Sequence, residues 1–103
     1  MKVAFKLLAE RQLNELHAYI SQNAGERRAT TYIERILAAC RSLAMFPNRG
    51  MRRDRILPGL RTIGFERRVT IAFIVEAERV VIEGIFYGGQ DYESSFADDD
   101  RNK

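Results

Sequence analysis

Residues Leu57–Tyr92 read LPGLRTIGFERRVTIAFIVEAERVVIEGIFYGGQDY. Val69, Ile71, Phe73 and Val75 alternate with Thr70, Ala72 and Ile74, and Val80, Val81, Ile82, Ile85 and Phe86 supply a second apolar run. β-Branched and aromatic residues at this density, cut by polar turns, predict strands. Glu76-Ala77-Glu78-Arg79 is short enough to be a hairpin turn only, so these two strands pair antiparallel. Leu60–Phe65 makes a shorter strand before them, with Glu66-Arg67-Arg68 as its turn. The apolar runs lack strict alternation, which predicts a sheet covered on one face and partly covered on the other.

Everything before Leu57 reads as the cover. Val3, Phe5 and Leu7 alternate with Lys2, Ala4 and Lys6 as a first short strand. From Ala9 to Gln22, the spacing of Ala9, Leu13, Leu16 and Ile20 draws one apolar stripe along a helix. Asn23 and Gly25 suit its left-handed cap. A second helix runs from Glu26 to about Met45, with Ala29, Ile33, Ile36, Leu37, Cys40, Leu43 and Ala44 on its apolar face. The link between the helices is so short that they pack as an antiparallel hairpin. Phe46-Pro47-Asn48-Arg49-Gly50 stops the second helix, and Met51–Ile56 is an arginine-rich connection back to the sheet. Beyond Tyr92 the pattern is lost, and residues 93–103 read as a flexible tail. The expected fold is therefore α+β, one domain over residues 1–103, in the order β-α-α-β-β-β. It is a small antiparallel sheet with the helical hairpin on one face. The other face has no second layer in this reading and stands open to a partner.

Charge is distributed unevenly. From Glu26 to Arg68 there are eleven arginines and no lysine against four acids, a local balance of +7 within a net charge of +3. From Asp91 onward, five acids face Arg101 and Lys103, a balance of −3. A basic middle points to an acidic partner, protein or nucleic acid; the plainer alternative is a solvated helix face and loop. The single Cys40 excludes a disulfide framework and fits a reducing cytoplasm. No stretch approaches the ~20 apolar residues of a membrane helix, and the amino terminus turns polar too soon for a signal segment.

Few residues invite catalysis. His17 is the only histidine and has no neighbouring ligand type, so no metal or cofactor is expected. Cys40 lies on an apolar stripe with no histidine to activate it, so it reads as packing. Gly88-Gly89 follows a strand without the lysine of a phosphate loop. Two places carry a binding signal. One is Arg61, a lone charge between Leu60 and Thr62 on a strand. The other is Tyr87-Gly88-Gly89-Gln90-Asp91-Tyr92, where the last strand ends.

The order and spacing of several features carry a resemblance. They are Ala9, Leu13 and Ile20; Ala29, Tyr32, Ile36 and Leu43; Phe46-Pro47 and Gly50; Gly59-Leu60-Arg61; and Phe86-Tyr87-Gly88-Gly89-Gln90-Asp91. Over roughly residues 3–92 the chain resembles the RelE/ParE superfamily of bacterial type II toxins, in its ParE branch. RelE-like members cleave messenger RNA on the ribosome; ParE-like members are associated with inhibiting DNA gyrase by binding. Where a RelE-like ribonuclease carries arginines and a carboxy-terminal tyrosine, this chain carries Thr70, Gln90 and Phe96, and a family histidine is Tyr87. Thr70, Gln90 and Phe96 supply neither cations for a phosphorane nor a proton carrier.

The resemblance thus implies a toxin that is not an enzyme, works in the cytoplasm and takes no cofactor. Its partners are a ParD-like antitoxin with an acidic carboxy-terminal segment, DNA gyrase as target, and DNA only through the antitoxin complex. The expected antitoxin- or target-binding residues are Arg49, Arg53, Arg61, Arg67, Tyr87, Gln90 and Asp91, with Arg61 as anchor. The alternatives are a ribosome-dependent endoribonuclease, in which Arg61, Arg67, Arg68 and Tyr87 would supply the chemistry, and a decayed toxin that only binds its antitoxin.

Overall fold

The β-branched runs of the carboxy-terminal half form the long strands of a five-stranded sheet, and a helical hairpin packs on one side of it. A computed structural model describes residues 1–89 and 92–101. In chain order the elements are β1 (Lys2–Phe5), α1 (Leu7–Ala24), α2 (Glu26–Ser42), β2 (Met51–Arg52), β3 (Leu60–Phe65), β4 (Val69–Val75), β5 (Arg79–Tyr87) and α3 (Tyr92–Arg101). The strand order is β1-β5-β4-β3-β2. The sheet is antiparallel throughout β2–β5, as expected, and β1 joins the outer side of β5 as a parallel strand. Parallel neighbours need a long connection, and everything between β1 and β5 provides it.

A bulge explains the broken alternation of the last strand. β5 pairs with β4 from Val80↔Val75 to Ile82↔Phe73, then slips, so that Gly84 faces Ala72 and Ile85 faces Ile71. The slip lets Ile82 and Ile85 point to the same side although an odd number of positions separates them. Val80, Ile82 and Ile85 thereby join Val69, Ile71 and Phe73 under the hairpin, against Ala9, Leu13, Leu16, Ile36, Cys40 and Leu43. Gln12 of α1 secures the bulge: its Oε1 accepts the Ile85 N–H at 2.6 Å. Gly84 leaves room for this contact, since a Cβ there would stand 3.2 Å from Gln12 Oε1 and 2.6 Å from the Phe86 ring.

The second face of the sheet departs from expectation. Residues beyond Tyr92 include the helix α3, and its Phe96 is 3% exposed. Phe96 packs with Leu60, Ala72 and Phe86, and Leu8, Ile56, Leu57, Ile74 and Tyr92 close around them. Aromatic edge contacts from Phe96 and Tyr92 to Phe86 hold the helix at centroid distances of 5.8 and 5.9 Å. The apolar residues on this side of β3, β4 and β5 need a cover, and the chain provides it. The face expected to stand open is closed over its centre.

Candidate functional site

The charge pattern becomes a shape at the end of the sheet where β3 turns into β4. There the hairpin and the sheet diverge, leaving a groove of about 610 Å³. Its helical wall comes from the end of α1 and the first turns of α2, and its sheet wall from Glu66, Arg68 and Tyr87. Arg27, Thr31 and Arg35 follow at four-residue spacing on α2, with Arg28 and Tyr32 beside them, so helical geometry sends this row into one wall. Four arginines (Arg27, Arg28, Arg35 and Arg68) line the groove, and among the described residues Glu66 is its one carboxylate. Glu66 is ion-paired to Arg35. The remaining guanidinium groups dominate the local potential.

Aromatic rings make the floor. Tyr19 and Tyr87 approach at 6.0 Å between centroids, and Tyr32 meets Phe65 edge-on at 6.0 Å. The Arg35 guanidinium lies about 6 Å from the Tyr32 and Phe65 rings, at 6.0 and 5.9 Å, within range of the ring quadrupole. Burial pushes the Tyr32 hydroxyl above its usual pKa, and Tyr87 adds to the shift while Arg35 and Arg68 oppose it. Tyr32 therefore holds its proton at neutral pH. His17 stands outside the lining, within hydrogen-bonding distance of Thr30 Oγ1 at 3.2 Å. Cations and aromatic faces equip the groove to hold an anionic chain.

The turn that brings Glu66 and Arg68 to the groove is strained. Glu66 and Arg67 both have positive φ, 49° and 65°, where side chains with a Cβ cost on the order of 1 kcal/mol or more each. The Arg68 N–H closes the turn on the Phe65 carbonyl at 3.3 Å, and the Arg68 carbonyl accepts the Gly88 N–H at 2.7 Å. The turn is thereby locked to the end of β5.

The residues expected from the sequence fall into two groups. Arg68 and Tyr87 meet in the groove, and Arg67 sits exposed on the adjoining turn, outside the lining. Arg49, Arg53 and Arg61 gather elsewhere, around β2 and the start of β3. There Arg61 Nη1 lies 3.4 Å from the Arg49 carbonyl, and Arg53 Nε donates to Thr62 Oγ1 at 3.1 Å. Gln90 and Asp91 lie outside the described residues. Thr70 and Phe96, the positions compared with ribonuclease side chains, belong to the α3 side of the sheet, away from the groove: Thr70 alternates with the core residues Val69 and Ile71, and Phe96 is buried under α3. Sequence reasoning missed Arg27, Arg28, Arg35, Tyr19 and Tyr32 as a set. The arginine row of α2 marks a basic helix face in the sequence, but its meeting with Tyr19 of α1 and the β3–β4 turn is a tertiary contact.

Among the described residues no group of His, Cys, Asp and Glu is placed to hold a metal ion, and no helix is long and apolar enough to cross a membrane. The family model described as ParE toxin of type II toxin-antitoxin system, parDE, matches residues 3–92. A solved structure described as the chromosomal ParDE TA system from P. aeruginosa is similar in fold, with a TM-score of 0.74 at 22% identity, covering 85% of this chain and 96% of that one. No curated protein sequence matches the chain.

Proposed function

The chain belongs to the ParE toxin family of type II toxin–antitoxin systems, and from that premise we propose that it acts by binding, with a cognate antitoxin neutralising it through the arginine-lined groove. The observation that carries this reading is the groove itself, four arginines over tyrosine rings with one carboxylate that is already paired. An acidic carboxy-terminal segment of a ParD-like antitoxin, disordered when free, folds into it and pairs its carboxylates with Arg27, Arg28 and Arg68. Arginine suits this role better than lysine because its planar fork binds carboxylates bidentately. The toxin's target in this reading is DNA gyrase, its site of action is the cytoplasm, and it meets DNA only through the antitoxin complex.

Calorimetry with the purified antitoxin tests the groove. Arg28→Ala with Arg68→Ala should weaken binding by more than tenfold, since truncating desolvated interface charges costs about 2–5 kcal/mol each. Arg11→Ala, outside this groove, should change affinity less than twofold. Equal affinities for the double variant and the unaltered chain would remove the groove from the antitoxin's footprint. A second reading, messenger RNA cleavage, draws support from one observation: Arg68 and Tyr87 do share the groove with further arginines. Of the other two residues that reading requires, Arg67 lies outside the groove lining and Arg61 stands in the other group.

A further inference from the structure

The second arginine group surrounds an exposed apolar tip. Six large hydrophobic side chains are exposed among the described residues, and three of them lie close in sequence: Met45 and Phe46 in the loop between α2 and β2, and Met51 as the first residue of β2. Their exposures are 75%, 63% and 59%. Scattered apolar residues on a surface are ordinary, whereas a concentration in one segment marks an interaction site.

The loop is built, not slack. Arg49 Nη1 reaches back to Ser42 Oγ at 3.1 Å, and Arg61 reaches the Arg49 carbonyl at 3.4 Å. Gly50 has φ 80°, and a Cβ there would lie 2.4 Å from the Thr62 carbonyl oxygen, so only glycine lets the loop press on β3. Asp54 fastens the far side, accepting from Arg52 Nε at 2.9 Å and from the Gly59 N–H at 3.0 Å. These bonds hold Met45, Phe46 and Met51 out of the core, and so lower the ordering cost of binding.

The charge around the tip names the partner's chemistry. Arg41, Arg49, Arg52 and Arg55 are exposed there, with Asp54 as the nearby acid in sequence. Methionine, phenylalanine and arginine together, with no lysine, are the composition of a protein–protein interface core, and thioether side chains adapt to an apolar pocket. A nucleic-acid backbone would be met by guanidinium groups without three protruding apolar side chains. We infer that the Met45–Met51 segment, the α2–β2 loop with the first residue of β2, is a second interaction surface, separate from the groove, that docks on an acidic protein surface carrying an apolar pocket, and that this surface belongs to the toxin's target. The inference rests on the reading of the chain as a binding toxin; it adds that antitoxin and target engage different parts of the molecule.

The test is the double variant Phe46→Ser with Met51→Ser, at exposed positions where folding is unaffected and thermal melting confirms it. Four measurements are made on the full chain: growth arrest on induction, inhibition of purified gyrase supercoiling, antitoxin affinity, and binding of a bare DNA duplex. The expected result is at least a tenfold loss of growth arrest and of gyrase inhibition, with antitoxin affinity unchanged within twofold. Full toxicity in the folded variant overturns the inference. So does a parallel loss of antitoxin affinity, which would assign the tip to the antitoxin. Binding of a bare DNA duplex that disappears in the variant would replace the protein partner by nucleic acid. Growth arrest without gyrase inhibition by the unaltered chain refutes gyrase as the target alone, and loss of arrest in the variant then still supports the tip. No arrest by the unaltered chain overturns both.

Discussion

Replacing Gln12 by leucine tests how the hairpin is fastened to the sheet. Beside the β5 bulge, Gln12 Oε1 accepts the Ile85 N–H at 2.6 Å in a partly buried setting. Leucine keeps most of the volume and removes the acceptor. The Ile85 N–H is then left without a partner beneath α1, which costs about 1–3 kcal/mol. The short distance and the neighbouring Phe86 ring put the expected loss near 2 kcal/mol. For a domain of this length that lowers Tm by roughly 8–16 °C. Gln12→Glu keeps an acceptor at the same reach and should lose less than half as much. Urea unfolding of the three proteins with a common m-value measures the difference, and hydrogen exchange should show the Ile85 amide opening faster in the leucine variant alone. If Gln12→Leu is as stable as the unaltered protein, with Ile85 equally protected, the bond does not secure the bulge. The consequence for function is direct, because α1 carries Tyr19 and β5 carries Tyr87, which face each other in the groove.

Cys40→Ser should cost on the order of 1 kcal/mol by placing a hydroxyl in an apolar site, with binding per folded molecule retained in calorimetry. Burial pushes the Cys40 thiol from 9.0 up to about 12, so its contribution to stability is complete below pH 9 and is lost as pH rises toward 12. Urea titrations across that window should show a decline that the serine variant lacks. Arg67→Gly should raise stability by about 0.5–1 kcal/mol in the same titrations, because glycine relieves the positive φ at that position. Gly50→Ala should lower it by more than about 1 kcal/mol through both its φ and the Thr62 carbonyl.

Most of the sheet was legible because its strands announce themselves locally. β3, β4 and β5 lie within a residue or so of their expected bounds, since β-branched density and polar turns are properties of neighbouring residues. The hairpin was legible for the same reason, although α1 begins at Leu7, the last residue assigned to the first strand. The loss of alternation in β5 had a cause the sequence does not announce, a bulge that depends on a side chain from α1. α3 was missed because its sequence is mostly polar, and one buried Phe96 seats it on a surface assembled from Leu60, Ala72 and Phe86. The groove was half legible. Tyr87 was named as a binding residue and Arg68 only for the ribonuclease alternative, and Arg27, Arg28 and Arg35 join them only when the start of α2 comes to rest beside the β3–β4 turn. That juxtaposition is tertiary, and no local spacing encodes it. Arg61, expected as an anchor because it is a charge among apolar neighbours, lies outside the groove, with its Nη1 3.4 Å from the Arg49 carbonyl.

We propose that this chain disables its target by binding rather than by cleaving messenger RNA. Purified gyrase titrated with the toxin on relaxed plasmid, beside ribosomes translating a messenger RNA in the same toxin concentrations, tests it most directly. The expected result is loss of supercoiling that is restored by stoichiometric antitoxin, with the messenger intact. Cut messenger RNA with supercoiling undisturbed would contradict the claim and place the chemistry at Arg68 and Tyr87.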